Sequence, residues 1–357
     1  MMTKRIISLL LALILSASLF ISCSDAGSSK DTTASSTGDS SPADNTSGTA
    51  EPVTDPEPVE EEYYAYLFAY FTGNDPTQER ICFATSTDGY KYRPLNHGRP
   101  VVTSESGTGC VRDPYIFKGH DGAYYMIGTD MKSQNGWDSN RDLISWRSED
   151  LINWTDETII KIDGEYRTTK NTTRAWAPQA IWNEERGEYM IYFALKSAYT
   201  KGRTIMYYAY SPDLKTLSTA PAELFAPTNG HDAIDSDIIY HDGLYYMFFK
   251  DETSGGIHLT TSKTMDGGYS WEDSKLVSPA GLPVEGSSTY ELIDGSGWLL
   301  IADAYMNGYF TMAFSDDLEN FSQLGQNEFA FTSFTPRHGS IIPITKAQYD
   351  ALRAEFK

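Results

Sequence analysis

The stretch Arg112-Asp113-Pro114-Tyr115-Ile116-Phe117 places a charged pair directly before a short hydrophobic strand, and this pattern recurs along the chain. The later copies begin Trp176-Ala177-Pro178-Gln179, Ile234-Asp235-Ser236-Asp237, Val284-Glu285-Gly286-Ser287 and Arg337-His338-Gly339-Ser340. They follow one another at intervals of 50 to 64 residues. Repetition of one pattern over such intervals is typical of a repeat architecture, in which each copy begins one structural unit.

A second phrase, a Ser with an acidic residue two positions later, closes most of these units. It occurs at Ser86-Thr87-Asp88, Ser148-Glu149-Asp150, Ser211-Pro212-Asp213 and Ser315-Asp316-Asp317, and a longer turn joins Ser262 to Asp266. Between the phrases, Tyr-rich and β-branched runs alternate with Gly, Asp and Asn turns, which is the pattern of short β-strands. With 24 Tyr, 16 Phe and 7 Trp among 357 residues, the composition also favours an all-β protein.

One unit is split between the two ends of the chain. Residues 63–102 carry three predicted strands (63–71, 80–85 and 90–95) without a leading strand. Residues 338–344 carry a leading strand that no further strand follows. Joining the two parts completes a fifth blade. We therefore predict one five-bladed β-propeller over residues 63–357, closed by pairing its N- and C-terminal strands.

A short helix is predicted after the last strand. Thr345 and Gln348 have the spacing of a capping box at a helix N-terminus. Ala347, Leu352 and Phe356 are predicted to pack against the body of the domain. The predicted fold is all-β apart from this helix.

The first 62 residues indicate an export signal and a tether. Lys4 and Arg5 precede an apolar run over residues 6–20, which is typical of a secretory signal over residues 1–22 and is short for a membrane span. Ser22 followed by Cys23 resembles the lipobox of bacterial lipoproteins, in which that cysteine is acylated; an ordinary cleaved signal is the alternative. Residues 23–62 lack aromatic residues and are rich in Ser, Thr, Asp and Pro, so a disordered tether is predicted. The expected location is a membrane anchor at the cell surface or facing the periplasm.

The formal net charge of −21 excludes two classes of partner. Without a basic patch to neutralise phosphates, nucleic-acid binding is excluded. Direct attraction to anionic lipid is excluded for the same reason, so contact with a membrane is expected only through the lipid anchor at Cys23. Three cysteines are too few for a disulfide scaffold or a cysteine-based zinc site.

Three acidic side chains stand at the start of the repeated strands: Asp113, Asp235 and Glu285. In a propeller the leading strand of each blade lies against the axis, so we expect these carboxyls to converge on a central pocket. Carboxyls are costly to bury unpaired, and converging ones raise one another's pKa values until one holds a proton near neutral pH. One protonated and one ionised carboxyl are what acid–base hydrolysis of a glycosidic bond requires.

These five motifs, in this order and at this spacing, resemble those of glycoside hydrolase family 43, the five-bladed inverting arabinofuranosidases, xylosidases and arabinanases. The resemblance covers about residues 63–357 and implies that Asp113 is the general base and Glu285 the general acid. It implies that Asp235 tunes the acid and orients the substrate. His338 matches a central histidine that contacts a calcium ion or its water shell in several members. A hydrated calcium ion near His338 is therefore one expectation, a neutral His338 bonded to an axial acid is the alternative, and no other cofactor is expected.

Two positions depart from the pattern of the family. Ser236 stands where Pro often follows the second aspartate, which makes Asp237 a rival of Asp235 for the tuning role. Gln179 stands where many members have Glu. Neither departure concerns the implied acid or base, but together they leave the sugar open.

Four further side chains are candidates for substrate binding. Trp137 and Trp176 could stack on a sugar ring or fill space between blades, and Trp176 is favoured because it directly precedes the axial position. Arg337 could bind a substrate hydroxyl or pair with an axial acid. Arg112 could supply the charge that keeps Asp113 ionised, or simply form a salt bridge with it.

The predicted function is inverting hydrolysis of arabinofuranosyl or xylosyl linkages in plant-type polysaccharides, with galactosyl or galactofuranosyl linkages as further candidates. One alternative is a non-catalytic glycan-binding lipoprotein, and retention of all three acids argues against it. The other is a retaining hydrolase of the related fructoside type, whose nucleophile lies in a Trp-x-Asn-Asp-Pro-type strand that residues 63–112 lack.

Overall fold

Antiparallel strands make up most of the computed structural model, which describes residues 62–357. In chain order they are β1 (Tyr63–Tyr70), β2 (Cys82–Ser86), β3 (Lys91–Pro94), β4 (Val111–Lys118), β5 (Tyr124–Asp130), β6 (Leu143–Ser148), β7 (Thr155–Ile160), β8 (Arg174–Asn183), β9 (Glu188–Lys196), β10 (Ile205–Ser211), β11 (Ala222–Phe225), β12 (Ala233–His241), β13 (Leu244–Asp251), β14 (Gly256–Ser262), β15 (Lys275–Leu276), β16 (Glu285–Glu291), β17 (Trp298–Ala304), β18 (Tyr309–Ser315), β19 (Ser322–Gln323), β20 (Ala330–Phe331) and β21 (Gly339–Thr345). Helix α1 (Lys346–Glu355) follows, and short 3-10 turns lie at Asn96–Gly98, Ser133–Asn135 and Arg167–Thr169.

The strands form five sheets arranged in a ring. Four sheets run in chain order, from β4 to β7, β8 to β11, β12 to β15 and β16 to β19, and the fifth has the order β20-β3-β2-β1-β21. The leading strands β4, β8, β12, β16 and β21 contact one another in this order, and β21 contacts β4. They therefore enclose one axis, and the predicted five-bladed propeller is confirmed.

The fifth blade joins the two ends of the domain as predicted. β1 pairs antiparallel with β21 from Tyr63↔Thr345 to Tyr70↔Gly339. β20 adds an outer strand that was not predicted, paired parallel with β3. A strand of two residues is too short to show an alternating pattern in the sequence.

The C-terminal helix begins where its capping box predicts. The Thr345 hydroxyl accepts a hydrogen bond from the Gln348 backbone N–H, and the Gln348 side chain accepts one from the Thr345 N–H. Leu352 is fully buried, and Phe356 packs against the same hydrophobic cluster as predicted.

The prediction that Ala347 packs against the body is wrong, because its side chain is exposed. Ala347 lies five residues before Leu352, which places it about 140° around the helix from the buried face. Tyr349 packs instead, with its ring centroid 5.5 Å from that of Tyr64.

Aromatic side chains fill the space between neighbouring blades. Where the closing blade meets the blade of β16 to β19, the Phe68 ring lies 6.2 Å from that of Phe310 and 5.9 Å from that of Phe331. Tyr92 stacks on the same Phe331 ring at 5.6 Å. Aromatic rings bury a large area each, which accounts for the aromatic-rich composition.

The repeated Ser-x-Asp phrase builds the turn that follows the third strand of a blade. At the end of β6, Asp150 accepts hydrogen bonds from the backbone N–H groups of Ile152 (2.9 Å) and Asn153 (2.7 Å), and Ser148 accepts one from Leu151 (2.9 Å). Short polar side chains satisfy turn N–H groups in this way. The phrase therefore repeats for a structural reason.

The predicted signal (residues 1–22), the predicted anchor Cys23 and the predicted tether (residues 23–62) lie outside the described part of the chain, apart from residue 62. Within residues 62–357, no helix is both long enough and apolar enough to cross a membrane. Cys82 and Cys110 are buried and have free thiols.

Candidate active site

Four of the five leading strands carry a β-bulge at the same place. In β4, β8, β12 and β16, one extra residue interrupts the pairing with the second strand of the blade. A residue with positive φ lies at each bulge: Asp113 (51°), Ala177 (46°), Asp235 (52°) and Gly286 (61°). Residues other than glycine rarely adopt this conformation, and bulges near functional sites re-aim side chains. The bulges thus set the direction of the axial carboxyls.

Glu285 lies one residue before the position that Asp113 occupies in its strand. The bulge residue of β16 is Gly286, where a Cβ atom would lie 2.3 Å from Cγ of His338. The sequence motifs predict that Glu285 occupies the position of Asp113 in the repeat. This alignment is wrong by one residue. Glu285 corresponds to Arg112, because the bulged backbone defines the repeat.

A pocket of about 680 Å³ opens at one end of the axis. The predicted site residues that line it are Asp113, Asp235, Glu285, Arg112, Arg337, Trp137 and Trp176. The structure therefore brings the three carboxyls, both arginines and both tryptophans into one cavity. Asp237 and His338 do not line this pocket.

His338 holds Asp113 in the ionised form. Oδ1 of Asp113 lies 3.3 Å from Nδ1 of His338, and Oδ2 accepts a hydrogen bond from the Thr129 hydroxyl at 2.8 Å. Burial acts to raise the pKa of Asp113, but the hydrogen bond and the charge of His338 outweigh it and hold the pKa below its ordinary value of 3.8. Burial also acts to lower the pKa of His338, but the neighbouring carboxyls, led by Asp235, raise it to about 9.

Asp235 has the opposite tendency, although it faces the same imidazole. Its Oδ2 accepts a hydrogen bond from the Gly286 N–H at 3.0 Å and lies 3.8 Å from Nδ1 of His338. Burial, followed by the negative charges of Glu285 and Asp113, raises the pKa of Asp235 to about 7, while His338 opposes the rise. The pocket thus contains an ionised carboxyl and one that holds a proton up to neutral pH.

Asp237, the rival of Asp235, lines a separate cavity of about 240 Å³. Its Oδ2 accepts a hydrogen bond from the Thr289 N–H at 2.6 Å. Burial raises the pKa of Asp237 to about 7, although this hydrogen bond acts to lower it. Asp235 and Asp237 are only two positions apart in β12, but they line different cavities. The β-bulge of this strand lies at Asp235.

Glu285 pairs with two cations. Its Oε1 lies 2.9 Å from Nη2 of Arg337, and its Oε2 lies 3.2 Å from Nζ of Lys250. Arg337 also binds Asp303, which faces Glu285 across the pairing of β16 with β17. Of the two alternatives for Arg337, the structure shows pairing with an axial acid.

Sequence analysis did not identify Lys250 and Asp303 as residues of the site. The available signal was a charged residue inside a buried hydrophobic strand, as in Phe248-Phe249-Lys250 and Leu300-Ile301-Ala302-Asp303. Such residues are rarely buried unless they are paired. Lys250 is 2% exposed and Asp303 is 1% exposed.

Arg112 is committed to partners other than Asp113. It binds Glu79 at 3.1 Å and Asn74 at 2.8 Å, and its guanidinium lies 4.4 Å from the Phe71 ring centroid. Its charge also helps to hold the pKa of Asp113 down, after the larger effect of His338. Arg112 therefore favours the ionised form of Asp113.

The two tryptophans form one wall of the pocket. Their rings meet edge to face, with centroids 6.4 Å apart. Trp137 is half exposed, and the guanidinium of Arg174 lies 4.2 Å from the Trp176 ring centroid. Trp176 also packs against the hydrophobic cluster between its blade and the next, so it both fills space and faces the pocket.

The residues around His338 do not form a set of protein ligands for calcium. This ion takes six to eight oxygen ligands, whereas Nδ1 of His338 already faces Asp113, and the Oδ2 atoms of Asp113 and Asp235 are hydrogen-bonded within the protein. Over residues 62–357, no group of three or more His, Cys, Asp or Glu side chains could hold a metal ion. A calcium ion held through its water shell stays a prediction, which chelation followed by assay and thermal melting would check.

Comparison with known proteins bears on this arrangement. A family described as "Probable glycosyl hydrolase domain" matches residues 61–350. An alpha-L-arabinofuranosidase of Bifidobacterium longum subsp. longum is 25% identical over 298 residues, which cover 68% of this chain and 27% of that protein. The chain spans about a quarter of the length of the curated relatives it matches.

Solved structures share the fold at lower identity. A protein of Bifidobacterium bifidum s17 provisionally named an exo-beta-1,3-galactanase has a TM-score of 0.54 at 18% identity, over 75% of this chain and 90% of that one. The xylan beta-1,4-xylosidase of Bacillus halodurans C-125 has a TM-score of 0.51 at 15% identity, over 81% of this chain and 54% of that one. At these identities the likeness concerns the propeller alone.

Proposed function

Because the chain belongs to this family of glycosyl hydrolase domains, which is related to glycoside hydrolase family 43, we propose that it hydrolyses glycosidic bonds with inversion of the anomeric centre. Terminal α-L-arabinofuranosyl linkages of plant-type polysaccharides are the first candidate, in view of the arabinofuranosidase relative. Xylosyl linkages come second, and galactosyl or galactofuranosyl linkages third. Fold likeness cannot choose among sugars.

One observation carries the proposal: Asp113 and Glu285 line one pocket and belong to strands of different blades, β4 and β16. His338 holds Asp113 ionised, which a general base requires. An inverting pair needs room for a water molecule between the base and the sugar, so its carboxyls stand roughly 6.5–9.5 Å apart. Placement on separate strands of a ring provides such room.

Each residue then has one role in the reaction. Asp113 takes a proton from a water molecule, whose oxygen attacks the anomeric carbon from the face opposite the leaving group. Glu285 gives its proton to the glycosidic oxygen as the bond from that oxygen to the anomeric carbon breaks. Both steps occur in one displacement, so the product has the inverted configuration.

Asp235 adjusts this pair. Asp235 accepts a hydrogen bond from the N–H of Gly286, the residue after the acid Glu285. It also faces the imidazole of His338, which contacts the base Asp113. It thereby fixes the backbone that carries Glu285. Trp137 and Trp176 supply ring faces on which a sugar can stack.

Export and lipid anchoring at Cys23 belong to the same proposal. A surface anchor would hold the pocket outside the cell, where polysaccharide is met. Cys23→Ala should release the protein from the membrane fraction of an exporting bacterial host. A wild-type protein that is already fully soluble in that host would contradict the anchor.

The test of the function is a panel of 4-nitrophenyl glycosides, with α-L-arabinofuranoside expected to be hydrolysed and the anomeric configuration followed by NMR. Glu285→Ala should reduce kcat on the methyl glycoside by about 10²–10⁴-fold. Its loss on the nitrophenyl glycoside should be much smaller, because nitrophenolate leaves without a proton. Asp113→Ala should abolish both activities.

Glu291→Ala is the matched control, since Glu291 is exposed at the far end of the same strand. It should leave both activities unchanged. Equal losses on both substrates in Glu285→Ala would show that Glu285 is not the acid. A product of retained configuration would reject inversion and favour the retaining alternative. If no glycoside were hydrolysed, a glycan-binding role would be favoured.

A further inference from the structure

Lys250 is a buried cation that the mechanism above leaves without a role. It lies on β13, opposite Ile234 of β12, and its side chain is 3% exposed. Burying a lysine is costly unless its ammonium group is paired. The partners of the ammonium group therefore show what offsets this cost and what Lys250 could do.

Two carboxylates from different blades share this ammonium group. Nζ lies 3.2 Å from Oε2 of Glu285, at the start of β16, and 3.5 Å from Oε1 of Glu252, just after β13. Nζ also lies 4.6 Å from the ring centroid of Tyr305. Lys250, Glu252, Glu285 and Tyr305 all line the main pocket.

The other cation on Glu285 is differently placed. Arg337 binds Oε1 of Glu285, but it also binds the buried Asp303. Asp303 is 1% exposed, whereas the side chain of Glu252 is 35% exposed at the pocket wall. Arg337 is therefore held in place by a buried partner, Asp303. The second partner of Lys250, Glu252, is accessible to solvent and lies farther from the ammonium group than Glu285 does.

We propose that Lys250 is a positioning residue for Glu285: it holds the carboxyl toward the pocket and stabilises the carboxylate that remains after proton donation, with Glu252 competing for its charge. This inference rests on the proposed function. In the reaction, the proton passes from Glu285 to the glycosidic oxygen, and the electron pair of the breaking bond stays on that oxygen. The negative charge left on Glu285 then lies beside Nζ.

The first test replaces Lys250 with Met, which has similar volume and no charge. On the methyl glycoside of the sugar identified by the panel (α-L-arabinofuranose is the expectation), Lys250→Met should lower kcat about tenfold. On the 4-nitrophenyl glycoside, kcat should change less than about twofold, because that leaving group needs no proton. Lys250→Arg, which keeps the charge, should restore most of the loss.

Lys161→Met is the matched control. Lys161 pairs with Asp142 at 2.9 Å and does not line the pocket. Like Lys250→Met, this variant loses an ion pair between a lysine and a carboxylate, but it should leave the hydrolysis of both substrates unchanged. Equal losses on both substrates in Lys250→Met, with no rescue by Lys250→Arg, would mean that Lys250 is merely structural.

Glu252→Gln provides a second test that does not depend on Lys250→Met folding. When the competing carboxylate of Glu252 is removed, the ammonium group of Lys250 interacts with Glu285 alone. This favours the ionised form of Glu285. The alkaline limb of kcat/KM on the methyl glycoside should therefore move to lower pH, and in Lys250→Met it should move to higher pH, each by about one unit. Arg337, Asp303, Asp235 and His338, the other charged groups around Glu285, are unchanged in both variants.

The outcomes separate the two proposals. If Glu285→Ala shows no difference between the methyl and nitrophenyl glycosides, or if no glycoside is hydrolysed, the proposed function fails and this inference fails with it. If Glu285→Ala behaves as an acid variant while the alkaline limb moves the same way, or not at all, in Lys250→Met and Glu252→Gln, only the role of Lys250 is rejected.

Discussion

Three aspartates near the axis differ in protonation because their neighbours differ. Asp113 faces the His338 imidazole at 3.3 Å and has a lowered pKa. In Asp235 and Asp237, burial outweighs the favourable contacts and raises the pKa to about 7. The same side chain is thus ionised at one position and holds a proton at the others.

At this scale, Asp237→Asn should remove one contribution to the pH dependence of stability. The raised pKa means that, between about pH 4 and pH 7, native Asp237 keeps a proton that the unfolded chain has released. The free energy of unfolding of the wild type therefore falls with rising pH in this range, by up to about 1.4 kcal/mol per pH unit from this group. Asn has no such proton, so the variant should gain stability relative to the wild type from pH 4 to pH 7, and the difference should stay constant above pH 7.

Urea unfolding at pH 4, 5.5, 7 and 8 would measure this difference. Asp316→Asn, at an exposed aspartate, is the control and should show no such trend. Hydrolysis should survive Asp237→Asn but not Asp235→Asn, because only Asp235 lines the main pocket. Loss of activity in Asp237→Asn alone would reverse the choice between the two aspartates.

At the scale of elements, the bulged leading strand is the unit that the blades repeat. The bulge residue is Ala177 in β8 and Gly286 in β16, both with positive φ. Only in β16 does the axial histidine fill the space where a Cβ atom would lie. Residue choice at this position therefore reflects the neighbouring strand as well as the conformation of the backbone.

Gly286→Ala should destabilise the domain by about 2–4 kcal/mol, since it adds backbone strain to a clash with His338. It should also lower activity, because the displaced imidazole would no longer hold Asp113 ionised. The matched variant Ala177→Gly relieves the strain of a positive φ but frees the unfolded chain, so its effect should stay within about 1 kcal/mol. Thermal melting of both variants decides; a Gly286→Ala variant as stable as the wild type would contradict the close packing against His338.

At the scale of the whole molecule, stability depends on closing the ring. The leading strand of the last blade, β21, pairs with β1 from the other end of the domain and contacts both β16 and β4. An open ring would expose the unpaired edge of β1 and two faces of neighbouring blades. Exposed edges of this kind promote aggregation.

Deleting residues 336–357 should therefore make the protein insoluble or abolish cooperative unfolding. Deleting residues 24–60, the predicted tether, should leave the Tm unchanged and serves as the control. Differential scanning calorimetry would compare the three proteins. A C-terminal truncation with the same Tm as the full chain would show that pairing of β21 with β1 is not needed for stability.

The sequence alone determined the number of blades, the split blade and the three converging carboxyls. These features depend on the repetition of motifs and on the alternation of apolar and polar residues within a strand, and both can be recognised in the sequence. The leading strands that begin near Asp113, Asp235 and Glu285 could be placed on the axis because every blade of a propeller presents the same strand there. The capping box at Thr345 is local in the same way.

Only the tertiary structure decided which groups meet across the axis. The bulges move Glu285 one residue from the position of Asp113 and place Asp237 in a different cavity from Asp235. The partners of Glu285, Arg337 at 2.9 Å and Lys250 at 3.2 Å, come from other blades, 52 and 35 residues away in the chain. Contacts of that kind follow from the closed ring, in which distance through space no longer depends on separation along the chain.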